Sequence, residues 1–426
     1  VDKFVTEDRL KIYALLAGEL AWRGIEVCAD LDWKRAFALH LWYQRSSSGL
    51  VSDALTSYED SFKGRTSSGI CAAEPSPSYL ANMQEILPER DPEETEHKAI
   101  RDTCYHLIKL FCKRSHRLEY TLAPASYTRY HLDASLSWHL YQVLRSAGYN
   151  HLSEYYASYL NASYAAQLEA VGLWHWAVFV LMHIQDPLRR EQAIQKVLIR
   201  YCILDEDAEY NEKETFLLND LGVPVVWIHE AKVIRSRTEN RPKDEAYHLL
   251  MSGHFNLSHE VILNGLASSA IINGEYESIK ELLVEIAPRE NSSQVNHWNT
   301  GGQIYLDYIK LWEKFNDIKN GVLVPTVYQL EKMQTKVSSL CYRISELPSK
   351  TAMDRLCQSD MGTMCANCLK IIAKELAMQS DEMDTSYHTQ SSVLAPHIEK
   401  LPLPEDCCLT ELRELTSKYI DELAQL

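Results

Sequence analysis

Apolar residues recur along this chain at intervals of three and four, and the stripes they draw predict a succession of amphipathic helices. Asp186-Pro187 reads as an N-cap followed by proline at the first helical position. Behind it Ile194, Val197, Leu198 and Tyr201 repeat at i, i+3, i+4 and i+7. Gly274 precedes a stripe of Tyr276, Ile279, Leu283 and Ile286 that Pro288 closes. Tyr305, Tyr308, Trp312 and Phe315 form another, ending near Asn320-Gly321, and Leu330, Met333, Val337, Leu340 and Ile344 form the next. One segment differs. Leu173 to Met182 is apolar nearly all round, and Gly172 cuts it from a helix over Asn161–Val171. Such a helix is expected to be covered on every side, which places the thickest core around residues 135 to 240.

Between the stripes lie stretches that read as polar and unable to bury anything: Ser46 to Gly49, Arg65 to Ser78, Pro88 to Glu96 and Gln379 to Ser392. Leu401-Pro402-Leu403-Pro404 must be extended, and a final helix from about Cys408 to Leu426 follows. No convincing alternation of apolar and polar residues marks a strand, and no fixed period marks a regular array. The expectation is an all-α chain, an irregular α-solenoid of roughly twenty helices in antiparallel pairs.

Composition agrees with that class. Only 15 Gly and 14 Pro punctuate 426 residues, and good helix formers fill the space between them. A formal net charge of -16, with no large cluster of Lys and Arg, disfavours direct contact with nucleic acid. The longest strongly apolar run, Leu173 to Ile184, falls short of the about 20 residues that cross a bilayer. No N-terminal signal is visible, although Val1 in place of Met reads as a processed or trimmed chain that could have lost one. The eleven cysteines are odd in number and irregular in spacing, which suits reduced thiols of the cytosol or nucleus. Three sequons, at Asn161, Asn256 and Asn291, carry no weight in such a compartment.

Candidate chemistry dissolves on inspection. Cys365-Ala366-Asn367-Cys368 lacks the second ligand pair of a zinc site and the βαβ setting of a redox site. With Cys357, Met361, Met364 and Ile372 it follows the spacing of a buried helix face. His229-Glu230 begins a zincin-like motif without its second His, and Gly64 to Gly69 has phosphate-loop spacing with Ile70-Cys71 where Lys-Ser/Thr is required. His175 and His183 read as satisfied interior histidines, and Trp138, Trp174, Trp176 and Trp227 as core. No catalytic, cofactor or metal site is expected, and the chain is read as a non-enzyme.

Several blocks together carry a resemblance: Leu31 to Trp42, Leu136 to Leu140, Ala162 to Glu169, Gly172 to His183, Val223 to Lys232, Ala267 to Asn273, Tyr305 to Ile309 and Leu394 to Asp406. Their order and identity resemble the vertebrate scaffold nucleoporins that are made as the C-terminal half of a precursor whose N-terminal half is a Phe-Gly nucleoporin. The resemblance implies a structural subunit of the Y-shaped outer-ring complex of the nuclear pore, in the nuclear envelope. It also implies an ancestral coatomer fold in which the chain turns back into trunk, crown and tail. Implied partners are a β-propeller protein, a second helical nucleoporin at the crown and the hub of the Y at the tail. Transport of mRNA and protein then depends on the chain indirectly, with neither nucleic-acid contact nor membrane insertion. The sequence departs from the full pattern in having no His-Phe-Ser protease signature; its one His-Phe is His254-Phe255-Asn256. It also lacks an early strand-like segment to complete the propeller, so that contact is expected outside this chain, and it has no Phe-Gly dipeptide.

The resulting expectation is a main solenoid over residues 1–320 and a helical tail module over 321–426, with a polar linker near 379–392. The last helix carries Leu409, Leu412, Tyr419, Ile420 and Leu423 on one stripe, with Leu415 and Leu426 beside it. The stripe either closes the chain's own fold or, at Leu412, Tyr419, Ile420 and Leu423, binds a hub partner. A vesicle-coat subunit of the same fold and an all-helical enzyme are the rival readings.

Overall fold

The computed structural model describes residues 5–22, 25–28, 31–43, 50–65, 69–81, 100–322, 325–379, 395–398 and 400–425. The expected polar stretches at 46–49, 88–96 and 380–392 lie outside them, as do residues 66–68 of the phosphate-loop-like spacing. Among the described residues the fold is all-α, apart from one antiparallel pair of two-residue strands that sequence periodicity did not suggest. These are β1 (Ala21–Trp22) and β2 (Ile25–Glu26), with Trp22 opposite Ile25. The chain forms two compact units, Val1–Val197 and Leu198–Leu426.

In the first unit the helices are α1 (Glu7–Ala17), α2 (Trp33–Tyr43), α3 (Val51–Phe62), α4 (Ser78–Ala81), α5 (Thr103–Cys112), α6 (Leu118–Thr121), α7 (Ser135–Ser146), α8 (Glu154–Ala170) and α9 (Trp174–Leu181). α10 (Pro187–Tyr201) carries the chain into the second unit, and Asp186 caps it as expected, its carboxylate accepting the Leu188 N–H at 3.0 Å. Trp33, Phe37, Tyr58, Phe62 and Tyr105 form an aromatic core between α2, α3 and α5, with Trp33 edge-on to Tyr105 at 6.4 Å and Phe37 edge-on to Tyr58 at 5.8 Å. Arg65 to Ser78 departs from expectation. Cys71, Ala72, Pro75 and Pro77 are buried and the Ala73 carbonyl accepts the Tyr58 hydroxyl at 2.6 Å. The small apolar residues inside this polar-looking stretch seal the aromatic core, which a local count of polarity misses.

The second unit holds α11 (Ala208–Thr215), α12 (Val225–Thr238), α13 (Pro242–Met251), α14 (Phe255–Val261), α15 (Ala267–Asn273), α16 (Tyr276–Ile286), α17 (Arg289–Ser292), α18 (Gly302–Lys319), α19 (Val327–Ile344), α20 (Ala352–Gln379) and α21 (Glu405–Gln425). Gly274, at φ 75°, stops α15 in the left-handed conformation open to glycine, and α16 starts two residues later with Ile279, Leu283 and Ile286 buried, as its stripe requires. A π turn over Ile262–Leu266 joins α14 to α15 without a break. One apolar cluster runs from Ala246 to Leu415 and takes in Tyr305, Leu311, Leu330 and Met333, so helices before and after residue 320 share a core. This cluster lies beyond the 135–240 span where the thickest core was expected. The Cys357, Met361, Cys365, Cys368 and Ile372 face of the 28-residue α20 is buried, and it packs between α15 and α19.

Buried histidines give both units the same pH response. His106 Nδ1 and His116 Nε2 share a hydrogen bond of 3.0 Å in the first. Burial holds His106 down at about 3, helped by His116 and Arg101, and burial holds His116 at about 4. In the second unit His259 Nε2 accepts the Gly302 N–H at 3.0 Å, and burial holds His259 at about 4. The folded pKa values lie below the ordinary 6.5, so these sites contribute their full stability above pH 6.5 and lose it as pH falls toward 4. Amide exchange followed from pH 7 to pH 5 is expected to show α5 and α18 losing protection worth about 1–2 kcal/mol per buried site. Unchanged protection would contradict it.

Candidate functional site

The last helix leaves part of its apolar surface open. Glu405 and Asp406 lie in its first turn, where acidic charge complements the helix dipole. Lys370 on α20 pairs with Glu411 on α21. Ile398, Leu401 and Leu415 are buried in the common core, and Leu403 and Cys408 pack on it. Pro402 passes close over Gly362 of α20, where an added Cβ would already lie 3.4 Å from the proline ring. α21 is thus tied to α20 by the Lys370–Glu411 pair and anchored in the common core by Leu415, the residue expected beside the stripe.

The stripe itself faces outward. Leu409 and Leu412 are exposed, and Ile420 is 59% exposed. The side chains of Tyr419 and Leu423 lie outside what the structure describes, so of the four expected partner-binding residues it places Leu412 and Ile420 on the open face. An isolated exposed apolar residue is ordinary; Leu409, Leu412 and Ile420 lie together on a helix that Leu415 anchors in the core.

The first unit has open apolar faces that the sequence reading did not single out. Ile12, Tyr13 and Leu16 of α1 are exposed, and Trp42 at the end of α2 is 78% exposed. On α8 and α9, Tyr155, Tyr159, Leu173 and Trp176 are exposed. The helix expected to be enclosed on all sides is therefore enclosed on one: Trp174, Ala177, Val178, Val180 and Leu181 are buried while Trp176 is 43% exposed. Hydrophobicity all round demands a cover, and this chain provides only part of it. The other tryptophans divide too, Trp138 being buried with its indole N–H on Asn161 Oδ1 at 2.8 Å, and Trp227 half-buried. That bond also places the sequon Asn161 inside the fold.

Cys365 and Cys368 are buried free thiols; a hydrogen bond with Cys341, then burial, pushes the Cys365 thiol well up, and burial pushes Cys368 to about 12. His229 Nδ1 lies 3.1 Å from His248 Nδ1, and His183 Nδ1 lies 3.0 Å from the Phe179 carbonyl. Among the described residues no group of three or more His, Cys, Asp or Glu is placed to hold a metal, and no helix is long and apolar enough to cross a membrane.

The family described as nuclear protein 96 matches residues 1–235, and the chain belongs to that family. A fruit-fly protein (Drosophila melanogaster) named nuclear pore complex protein Nup98-Nup96 is 34% identical over 99% of this chain, which spans 21% of that protein's length. A protein of the same name from Dictyostelium discoideum is 28% identical over 99% of the chain and 21% of its own length. Nuclear pore complex protein NUP96 of Arabidopsis thaliana is 23% identical over 99% of the chain and 39% of its own length. The chain is thus a nucleoporin of the nuclear pore complex, at the nuclear envelope, and the vesicle-coat reading is not favoured.

Proposed function

We propose that the chain is a non-catalytic scaffold subunit of the pore's Y-shaped outer-ring complex. It holds other helical nucleoporins in place and so supports pore assembly and the passage of mRNA and protein. The observation that carries this reading is α21, anchored through Leu415 while Leu409, Leu412 and Ile420 stay open. Its partners are the hub subunits at residues 321–426 and a crown partner on the body over residues 1–320, arranged as an irregular solenoid. The contact with a β-propeller subunit falls outside this chain. The charge of -16 argues against direct nucleic-acid contact, and the chain inserts in no membrane.

The test separates docking from folding. Leu412→Glu with Ile420→Glu changes only exposed side chains. It is expected to leave the helical signal intact and weaken hub assembly about tenfold or more, because each glutamate would be buried unpaired at the contact. Deleting residues 408–426 is expected to abolish that assembly. Unchanged assembly by both stably folded variants would remove the docking role of α21.

A further inference from the structure

A groove of the second unit runs between α18 and α19, has a volume of about 1340 Å³, and does not involve α21. About twelve residues of helix, ~18 Å long and ~10 Å across, displace a volume of this size. Its floor is apolar, with Leu311, Ile318, Met333 and Leu340 along it. Its walls carry two ladders of lysine one helical turn apart: Lys310 and Lys314 on α18, Lys332 and Lys336 on α19. All four are exposed.

Two of the four acidic residues of the lining are occupied. Asp307 is paired with Arg343 at 2.6 Å, and Glu313 with Lys280 at 2.7 Å. Asp317 and Glu331 remain, toward the end where α18 leads into α19. Among the described residues none of the four lysines has an ion-pair partner within 4 Å. Four unpaired ammonium groups around one cleft repel one another, in a chain whose net charge is -16. Among groups without an ion pair the lining sets four lysines against Asp317 and Glu331, and this local excess of positive charge in an acidic chain marks the chemistry of what the cleft receives.

We propose that the α18–α19 groove receives an amphipathic helix of a partner nucleoporin, with its apolar stripe on the Leu311–Met333 floor and aspartates or glutamates along both flanks, against the lysine ladders. This is the helix-in-groove mode, with charge setting orientation and the floor supplying the buried contact. The inference rests on the scaffold reading and deepens it, by giving the chemistry of one partner at a surface apart from the α21 face.

The experiment is amine footprinting of the full chain, alone and in its native assembly isolated from nuclear envelopes, followed by carbodiimide coupling and mass spectrometry. Acetylation of Lys310, Lys314, Lys332 and Lys336 is expected to slow about tenfold or more in the assembly. Carbodiimide is expected to join these lysines to Asp or Glu spaced three or four apart in another protein. Lys314→Glu with Lys332→Glu, both at exposed positions, should abolish that coupling while the chain stays folded. If the chain co-isolates with nucleoporins yet the four lysines react as fast as in the free chain, the groove is empty and the inference fails. It also fails if the coupled carboxylates belong to a second copy or to this same chain, or if nuclease treatment restores reactivity. If the chain co-isolates with no nucleoporin, the scaffold reading itself has failed.

Discussion

Replacing Gly302 with valine is expected to destabilise the second unit by about 3 kcal/mol or more, and with alanine by somewhat less. A Cβ at this position would lie 2.4 Å from the Trp298 ring and 3.0 Å from His259 Cδ2. Neither neighbour is free to yield. Trp298 is buried and its indole N–H donates to Gln303 Oε1 at 3.0 Å, while His259 is buried and accepts the Gly302 N–H itself. The glycine is what lets the first turn of α18 sit against α14, and a larger residue would also break the bond that satisfies this buried N–H. A two-unit chain has no single unfolding free energy. The measurement is therefore amide exchange in α18, where protection should fall by more than about a hundredfold, with α5 unaffected. Exchange at the native rate would contradict it.

Loss of the Glu59 carboxylate should do similar damage in the first unit. Glu59 Oε1 accepts from the Tyr105 hydroxyl at 2.6 Å and from Lys109 at 2.9 Å, and Oε2 accepts from Lys63 at 2.9 Å. Burial pushes the carboxyl up, but the hydrogen bonds from Tyr105, Lys109 and Lys63 outweigh it and hold it at about 2. Glu59→Ala leaves the fully buried Tyr105 hydroxyl and two lysines of limited exposure without their acceptor, and about 2–3 kcal/mol is expected. Because its folded pKa is depressed, Glu59 stabilises the unit fully above pH 4.5 and ceases to do so as pH falls through about 2. Glu59→Gln keeps the shape and removes the charge, so it should recover part of the loss at neutral pH and flatten the acid limb. Equal stability of all three proteins by exchange in α3 and α5 would contradict the account.

The helices were legible in the sequence wherever local rules decide them. The stripes of α16, α18 and α19 are buried where their spacing put them, except for the half-buried Tyr276 and Trp312, and Asp186-Pro187 and Gly274 punctuate the chain as their chemistry requires. What the sequence left hidden depends on contacts distant in the chain. Apolar spacing says that a face must be covered, not by what. Leu173 to Met182 therefore read as interior although Trp176 is open, and spacing did not say whether the core would take Ile420 on the stripe or Leu415 beside it, of which Leu415 is buried and Ile420 exposed. Cys71 and Ala72 were missed because their burial depends on Tyr58 and Tyr105. The lysine groove was invisible for a similar reason: its two walls lie on separate helices, and each pair alone is an ordinary solvated face.

The central claim is that greasy helix faces left open by this chain are where other nucleoporins sit. Contacts of that kind are buried and apolar, so raising salt screens them little. The most direct measurement is isolation of the tagged full-length protein from nuclear envelopes through a salt series, with the stoichiometry of co-isolated proteins counted at each step. A scaffold subunit is expected to retain the same helical nucleoporins at constant ratio. Recovery of the protein alone, or with a changing set of partners that salt strips away, would contradict it.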